Sequence, residues 1–158
     1  MSGTVNKCAV KKHPKFTEIY FEFLLFYYDS DESATSFSYN GTMYFYVKNL
    51  QGDVVRIIDL SGTEVASYVY DAWGNIKDTK GEPTVREINP IRYRGNVYDT
   101  ETSLYYLQSR YYDPFTGRFL NADVYCNTNT GTPLSTNMFS YCENNTISNI
   151  DFNGYALI

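Results

Sequence analysis

Histidine and cysteine, the residues that most often serve as metal ligands and nucleophiles, are few in this chain and widely spaced. The 158 residues include one histidine, His13, and three cysteines, Cys8, Cys126 and Cys142, with no C-x-x-C pair among them. A zinc centre needs several such ligands, and a Ser-His-Asp triad needs a positioned histidine. The sequence therefore predicts no metal site, no thioredoxin-type site and no cofactor. Free thiols are favoured over a Cys126–Cys142 disulfide, which stays open as an alternative.

The charge balance and the hydrophobic pattern argue against two further classes of partner. Thirteen basic and 18 acidic side chains give a net charge of −5, whereas nucleic acids and anionic membrane surfaces are bound by clustered lysine and arginine. The most apolar stretch, Phe16–Tyr28, carries Glu18 and Glu22 and lacks a small-residue cleavage site. It is too short for a membrane helix and is no evident signal peptide. We predict neither nucleic-acid binding nor membrane insertion.

Aromatic residues and turn glycines predict an all-β fold. The chain has 17 tyrosines, ten phenylalanines and one tryptophan, and aromatic side chains suit a half-buried pleated sheet. No stretch shows sustained helical periodicity. Glycines at positions 41, 52, 62 and 74 are 10 to 12 residues apart, which is typical of successive antiparallel hairpins.

The dipeptide Tyr-Asp marks an internal repeat. It occurs at 28–29, 70–71, 98–99 and 112–113, and these positions are separated by multiples of 14 residues. We expect the tyrosine to end a strand and pack on the neighbouring hairpin. The aspartate should open the turn by accepting hydrogen bonds from nearby backbone N–H groups. The alternative is that such pairs recur by chance in a tyrosine-rich β protein.

Composition divides the chain into three parts. Residues 1–15 are polar and basic without pattern, and predict an unstructured N-terminal arm. Residues 16–90 contain the repeated hairpins, and residues 91–158 form a distinct C-terminal block. Residues 77–90 are charged and contain Gly81, Pro83 and Pro90, which predicts an exposed loop between the second and third parts.

Three strings give the chain a family resemblance. YDAWGN at 70–75, YRGNVYDTETSLYYLQSRYYDPFTGRFLNAD at 93–123 and FSYCENNTISNIDFNGY at 139–155 resemble the RHS/YD-repeat family and its RHS repeat-associated core. The family includes bacterial toxin carriers, toxin-complex subunits and animal teneurins. The resemblance implies repeats that wind into a spiral β-sheet shell, and a core segment that plugs one end. In bacterial members the shell encloses a C-terminal toxin.

The resemblance also implies a self-cleavage site of the aspartyl type. The family's catalytic positions fall on Arg110, Asp123 and Asp151, and its cleaved bond falls on Tyr155–Ala156. Two carboxylates close together in a poorly solvated site cannot both ionise, so one can act as general acid while the other activates water. A guanidinium can orient one of them.

The sequence departs from the family pattern at three positions where proline is usual. These positions are occupied by Val124, Thr146 and Phe152. Because proline restricts the backbone, its loss predicts a more relaxed conformation around the site. Only three residues follow Tyr155, so we expect a displaced or truncated end of a carrier rather than a chain with its own toxin.

Three functions remain open. The first is structural: the C-terminal fragment of a toxin carrier, which forms shell and plug and whose partners would be the remaining shell or a C-terminal toxin. The second is an intramolecular aspartyl protease that cuts after Tyr155. The third is a carbohydrate-binding module that uses exposed tyrosines and Trp73. Family resemblance alone implies a secreted or cell-surface location, and unpaired strand edges would permit self-association.

Overall fold

The protein folds into two antiparallel β-sheets whose strands follow one another in chain order. The computed structural model describes residues 5–9 (backbone only), 24–123, 137–151 and 154. The first sheet contains β1 (Val5–Ala9), β2 (Leu24–Tyr28), β3 (Ala34–Tyr39), β4 (Thr42–Lys48), β5 (Val54–Asp59), β6 (Glu64–Tyr70) and β7 (Ile76–Gly81). The second sheet contains β8 (Val97–Asp99), β9 (Leu104–Leu107), β10 (Arg110–Asp113) and β11 (Arg118–Phe119). The prediction of an all-β fold of successive hairpins is confirmed.

Aspartate opens five of the turns, and at Asp29, Asp71, Asp99 and Asp113 it does so as the Tyr-Asp repeat predicts. Asp29, Asp59 and Asp71 each accept hydrogen bonds through Oδ1 from the backbone N–H groups two and four residues further on. Asp99 and Asp113 accept from the N–H two residues on and from a threonine hydroxyl three residues on. The short aspartate side chain at the end of the strand therefore accepts hydrogen bonds from backbone N–H groups of the turn that have no strand partner.

Each sheet has its own hydrophobic core. In the first, Phe37, Val54, Ile57 and Ala66 are fully buried. In the second, the core is mainly tyrosine, and its buried members are Tyr93, Tyr105, Leu107, Tyr112, Phe119, Tyr141 and Cys142. Tyrosine in a core needs partners for its hydroxyls, and their positions determine how the two sheets meet.

The prediction of an exposed loop over residues 77–90 is wrong. Most of β7 and a short helix, α1 (Pro83–Ile88), lie there, and Val85 is buried. Asn89 is also buried, and its side chain accepts hydrogen bonds from the Tyr46 hydroxyl and the Ile91 N–H. Only one of the six residues of this helix is buried. The helix therefore has no periodic pattern of apolar residues by which it could be predicted.

The predicted unstructured arm is also partly wrong. Val5–Ala9 form β1, which pairs antiparallel with β2; a neighbouring strand can recruit a segment that has no hydrophobic pattern of its own, because the ladder bonds are made by the backbone. The boundaries after residues 15 and 90 remain predictions. In the described part of the chain, no helix is long and apolar enough to cross a membrane.

The turn between β6 and β7, residues 71–75, contacts the C-terminal block, and we call it the docking turn. Its carbonyl groups accept hydrogen bonds from hydroxyls of the C-terminal block: Ala72 from Tyr93 (2.8 Å) and Thr146 (2.6 Å), Trp73 from Tyr112 (2.7 Å), and Gly74 from Tyr105 (2.9 Å). The Tyr93 ring lies so close that a Cβ on Gly74 would be 2.6 Å from it. Gly74 also has φ +89°, so both its shape and its conformation require glycine.

We predict that Tyr105→Phe destabilises the protein by about 1 to 2 kcal/mol, because it leaves the buried Gly74 carbonyl without this partner. Tyr106→Phe is the matched control, because the adjacent ring is 40% exposed. Its expected cost is near zero. Urea unfolding measures both free energies, and equal costs for the two variants would contradict the role of the docking turn.

Candidate functional site

Arg110 begins β10 and lies inside the molecule. Arg110 and Tyr112 share the buried face of this strand, whereas Tyr111 between them is exposed. The side chain of Arg110 is only 7% exposed. A buried guanidinium is costly unless charged or polar partners surround it, so its contacts define the candidate site.

The structure brings the three predicted site residues together around this guanidinium. Nη2 of Arg110 lies 3.2 Å from Oδ2 of Asp123 and 3.4 Å from Oδ2 of Asp151. Nη1 donates to the carbonyl of Met138 at 3.1 Å, and Nε donates to the carbonyl of Gly154. The convergence is a structural fact, whereas the catalytic role of the three residues stays a prediction.

Backbone pairing with a distant segment positions Asp123. The N–H of Asp123 donates to the carbonyl of Met138 at 2.9 Å, and the N–H of Phe119 donates to that of Phe139 at 3.0 Å. Residues 137–140 therefore run beside the end of β11 and the residues that follow it. Met138 contributes one carbonyl to both Asp123 and Arg110, so the same segment places the carboxylate and the guanidinium.

Asp151 both contacts Arg110 and closes a turn. Its Oδ1 accepts a hydrogen bond from the N–H of Gly154 at 2.7 Å. Gly154 has φ +75°, and a Cβ there would lie 2.5 Å from Oγ of Ser109 and 2.9 Å from the carbonyl oxygen of Leu107. Only glycine fits this contact with the β9–β10 turn. The predicted cleavage positions, Tyr155 and Ala156, lie outside the described residues.

Burial and charge oppose each other at the site. Burial lowers the pKa of Arg110, and the negative charges of Asp123 and Asp151 act in the opposite direction. The Asp123 side chain is 17% exposed and that of Asp151 is 5% exposed. One guanidinium thus faces two carboxylates in a mostly dry site, and water has easier access to Asp123.

The nearby cysteine is not arranged as a nucleophile. Cys142 is a free, buried thiol, and burial raises its pKa to about 11. At neutral pH it is therefore protonated and unreactive. Cys126, the other member of the alternative disulfide, lies outside the described residues.

A second buried arginine binds the C-terminal segment, by which we mean the described residues 137–151 and 154, and no motif in the sequence indicates it. Arg94 donates to the carbonyl of Thr146, and at 3.4 Å to that of Gln51. Its Nε lies 3.7 Å from Oδ1 of Asp53, which also accepts the backbone N–H of Arg94 at 2.9 Å. Arg94 and Asp53 are 41 residues apart and belong to no shared motif, so only the folded chain reveals the pair.

Thr146 occupies one of the three positions where proline is usual, and the expectation of relaxed constraint around the site stays a prediction. This residue is buried, its hydroxyl binds the docking turn, and its carbonyl binds Arg94. Hydrogen bonds therefore restrict the position where proline is usual. Val124 and Phe152, the other two departures, lie outside the described residues.

Other kinds of site receive no support from the geometry. Within residues 24–123 and 137–151, no group of three or more histidine, cysteine, aspartate or glutamate residues could bind a metal ion. The Trp73 ring packs against Gly117, where a Cβ would be 2.9 Å away. That face of the ring is covered, which weakens its use as a platform for a sugar.

Comparison with known proteins identifies the family. The family model described as Teneurin YD-shell matches residues 17–147. The chain is 42% identical over 128 residues to the tRNA3(Ser)-specific nuclease WapA of Bacillus spizizenii, which covers 81% of this chain and 5% of that protein. It is 45% identical over 112 residues to the tRNA(Glu)-specific nuclease WapA of Bacillus subtilis subsp. natto. This match covers 71% of the chain and 5% of the relative. The chain belongs to the Teneurin YD-shell family, which confirms the RHS/YD-repeat resemblance.

A solved structure shows the same fold. The crystal structure of TcdB2-TccC3-Cdc42 superposes with a TM-score of 0.73 at 23% identity, covering 87% of this chain and 7% of that chain. The chain thus spans only about a twentieth of the length of these relatives. The activities in their names belong to those whole proteins.

We predict that Gly154→Ala destabilises the protein by more than Gly62→Ala. Both glycines have positive φ, at +75° and +82°, but a Cβ on Gly62 meets nothing within 4 Å. Gly62→Ala should therefore cost about 1 kcal/mol of backbone strain, and the additional cost at Gly154 reports the contact with the β9–β10 turn. Urea unfolding measures the difference, and equal costs would show that this contact contributes nothing.

Proposed function

We propose that this chain is the end of an RHS-type shell together with the segment that plugs it. The observation that supports this most directly is the docking turn, where four hydroxyls of the C-terminal block bind carbonyls of the last repeated hairpin. The block is therefore fixed against the repeats rather than joined to them by a flexible linker. The relatives are much longer proteins, so in a carrier the partner would be the rest of a shell or an enclosed toxin.

The repeats of such a shell would continue on the β1 side of the first sheet. Strand order equals chain order from β1 to β7, so any preceding hairpin would be added beyond β1. The opposite outer strand, β7, carries Lys77, Asp78 and Lys80, and charges of this kind discourage pairing with another strand. Only the N-terminal side then suits further strands.

We predict that deletion of residues 1–9 increases self-association. The deletion removes β1 and uncovers β2, whose sequence is LLFYY, and an apolar strand with unpaired backbone groups pairs with other chains. Deletion of residues 1–4 is the matched control, because β1 remains. Size-exclusion chromatography with light scattering measures the mass of each. Equal masses would count against strand addition at this side.

A second function, self-cleavage, is supported by the contacts around Arg110. We infer that Asp123 and Asp151 hydrolyse the bond between Tyr155 and Ala156, which follow directly after the buried Gly154. Arg110 binds the carbonyl of Gly154 and so keeps the chain next to both carboxylates. Because Asp123 is the more exposed of the two, it is the better candidate to contact water.

The reaction can be written as a balanced hydrolysis. Asp123 takes a proton from water while the water oxygen attacks the carbonyl carbon of Tyr155. Asp151, in its protonated form, donates a proton to the nitrogen of Ala156 as the carbon–nitrogen bond breaks. The products are a carboxyl group on Tyr155 and a free amino group on Ala156, and the protons redistribute between the two aspartates and solvent.

We predict that the purified chain loses Ala-Leu-Ile from its C-terminus and that Asp151→Asn and Asp123→Asn each abolish this loss. Intact-mass spectrometry over several days at mildly acidic and neutral pH provides the measurement. Asp113→Asn is the control, because Asp113 lies in a turn and asparagine can make the same turn bonds. An unchanged mass for the unmodified chain at every pH would refute self-cleavage.

An extracellular or cell-surface location follows as part of the same proposal. It is supported by the family alone, since carriers of this kind act outside the cell that makes them.

A further inference from the structure

Phe119 lies directly beneath the guanidinium of Arg110. The central carbon of that guanidinium is 3.6 Å from the centroid of the Phe119 ring, and the ring is 3% exposed. Other arginines in the described part of the chain also contact aromatic rings, but at longer distances. Arg92 lies 4.6 Å from Tyr98, and Arg94 lies 5.3 Å from Tyr93. Phe119 therefore makes the closest arginine–ring contact among these.

The ring is itself fixed from several sides. Tyr112 and Tyr141 approach it edge-on, with centroids at 6.0 Å and 5.6 Å. The backbone N–H of Phe119 binds the carbonyl of Phe139, and Phe119 pairs with Tyr112 across the sheet. A ring with this many neighbours cannot tilt without disturbing the core of the second sheet.

The plane of the guanidinium determines which acceptors it can reach. Its five N–H groups lie in one plane and point outward as a rigid fork. Arg110 uses three of its nitrogens at once, toward the carbonyls of Gly154 and Met138 and toward the two carboxylates. A rotation of the guanidinium plane would move all of these donors away from their acceptors at the same time. A flat, polarisable ring whose face lies 3.6 Å from the centre of the fork favours one plane over the others.

We propose that Phe119 is a positioning residue for Arg110, which it keeps in the plane that serves Asp123, Asp151 and the carbonyl of Gly154. As a contribution to catalysis this rests on the proposed self-cleavage, but the orientation of Arg110 can be measured without it. Phe119 acts through Arg110 and contacts no reacting atom.

The experiment compares Phe119→Leu with Phe119→Trp. Leucine keeps a buried apolar side chain but removes the ring face, whereas tryptophan restores an aromatic face and is the strongest partner for a cation. Phe115→Leu makes the same chemical change on a ring that is 89% exposed and serves as control. Urea unfolding first confirms that each variant is folded.

The first measurement is the rate constant of self-cleavage. We expect Phe119→Leu to lower it by about tenfold or more, as a misplaced catalytic group does, while Phe119→Trp recovers most of the rate and Phe115→Leu has no effect. If Phe119→Leu cleaves at the unmodified rate, or if Phe119→Trp is as slow as Phe119→Leu, the proposal is overturned while self-cleavage stands.

The second measurement is the NMR signal of the Arg110 Nε–H, assigned by its loss in Arg110→Lys. The nearby ring should shift this signal, so Phe119→Leu should move it and Phe115→Leu should not. This readout needs no cleavage. If the unmodified chain never cleaves, the proposed activity fails, and a shifted Nε–H signal still supports the positioning role. An unchanged signal in Phe119→Leu overturns that role.

Discussion

Much of the packing of the C-terminal block against the first sheet depends on hydrogen bonds from side-chain hydroxyls to the carbonyls of one turn. The carbonyls of residues 72–74 cannot be satisfied within the turn, and burial without a partner would be costly. Tyr93, Tyr105, Tyr112 and Thr146 supply the donors. Asp71 stabilises the turn from inside: burial acts to raise its pKa, but bonds from Lys77, Asn75 and Trp73 together lower it. This interaction explains why three positions of the second core are tyrosine, namely Tyr93, Tyr105 and Tyr112, since leucine or phenylalanine would fill the space but leave the carbonyls unpaired.

Two buried arginines extend the same principle to the C-terminal segment. Arg94 binds the carbonyl of Thr146, and Arg110 binds those of Met138 and Gly154. Each arginine also has at least one acidic partner, Asp53 for Arg94 and Asp123 and Asp151 for Arg110. Among the described residues 137–151, regular structure is limited to a short 3-10 helix, Cys142–Asn144, and side-chain donors take the place of strand partners. The side chains of the candidate site therefore also hold the C-terminal segment in place. Loss of Arg110 would affect both the site and the position of the segment.

Contacts between residues that are near each other in the sequence made the hairpins and turns of this fold predictable. Contacts between residues that are far apart in the sequence were not predictable in this way. The turns at Asp29, Asp71 and Asp113 involve acceptors and donors only two to four residues apart, so their residue types are a sufficient signal. The convergence of Arg110, Asp123 and Asp151 was expected only from family resemblance, because no local pattern links them. No local pattern indicates the pairing of Arg94 with Asp53, because the two residues are 41 positions apart. β1 could not be predicted because it is held by backbone pairing, which needs no hydrophobic pattern. α1 could not be predicted because a single buried valine produces no periodicity.

The long chain distances across the docking turn also determine when the site can exist. Hairpins between neighbouring strands close short loops, and such contacts form early in folding. The bond between Thr146 and Ala72 closes a loop of 74 residues, and that between Arg110 and Gly154 spans 44, so both bear a larger entropic cost. A ribosome would have to release the chain through Asp151 before that residue could meet Arg110. The candidate site is therefore expected to form after the neighbouring hairpins of both sheets.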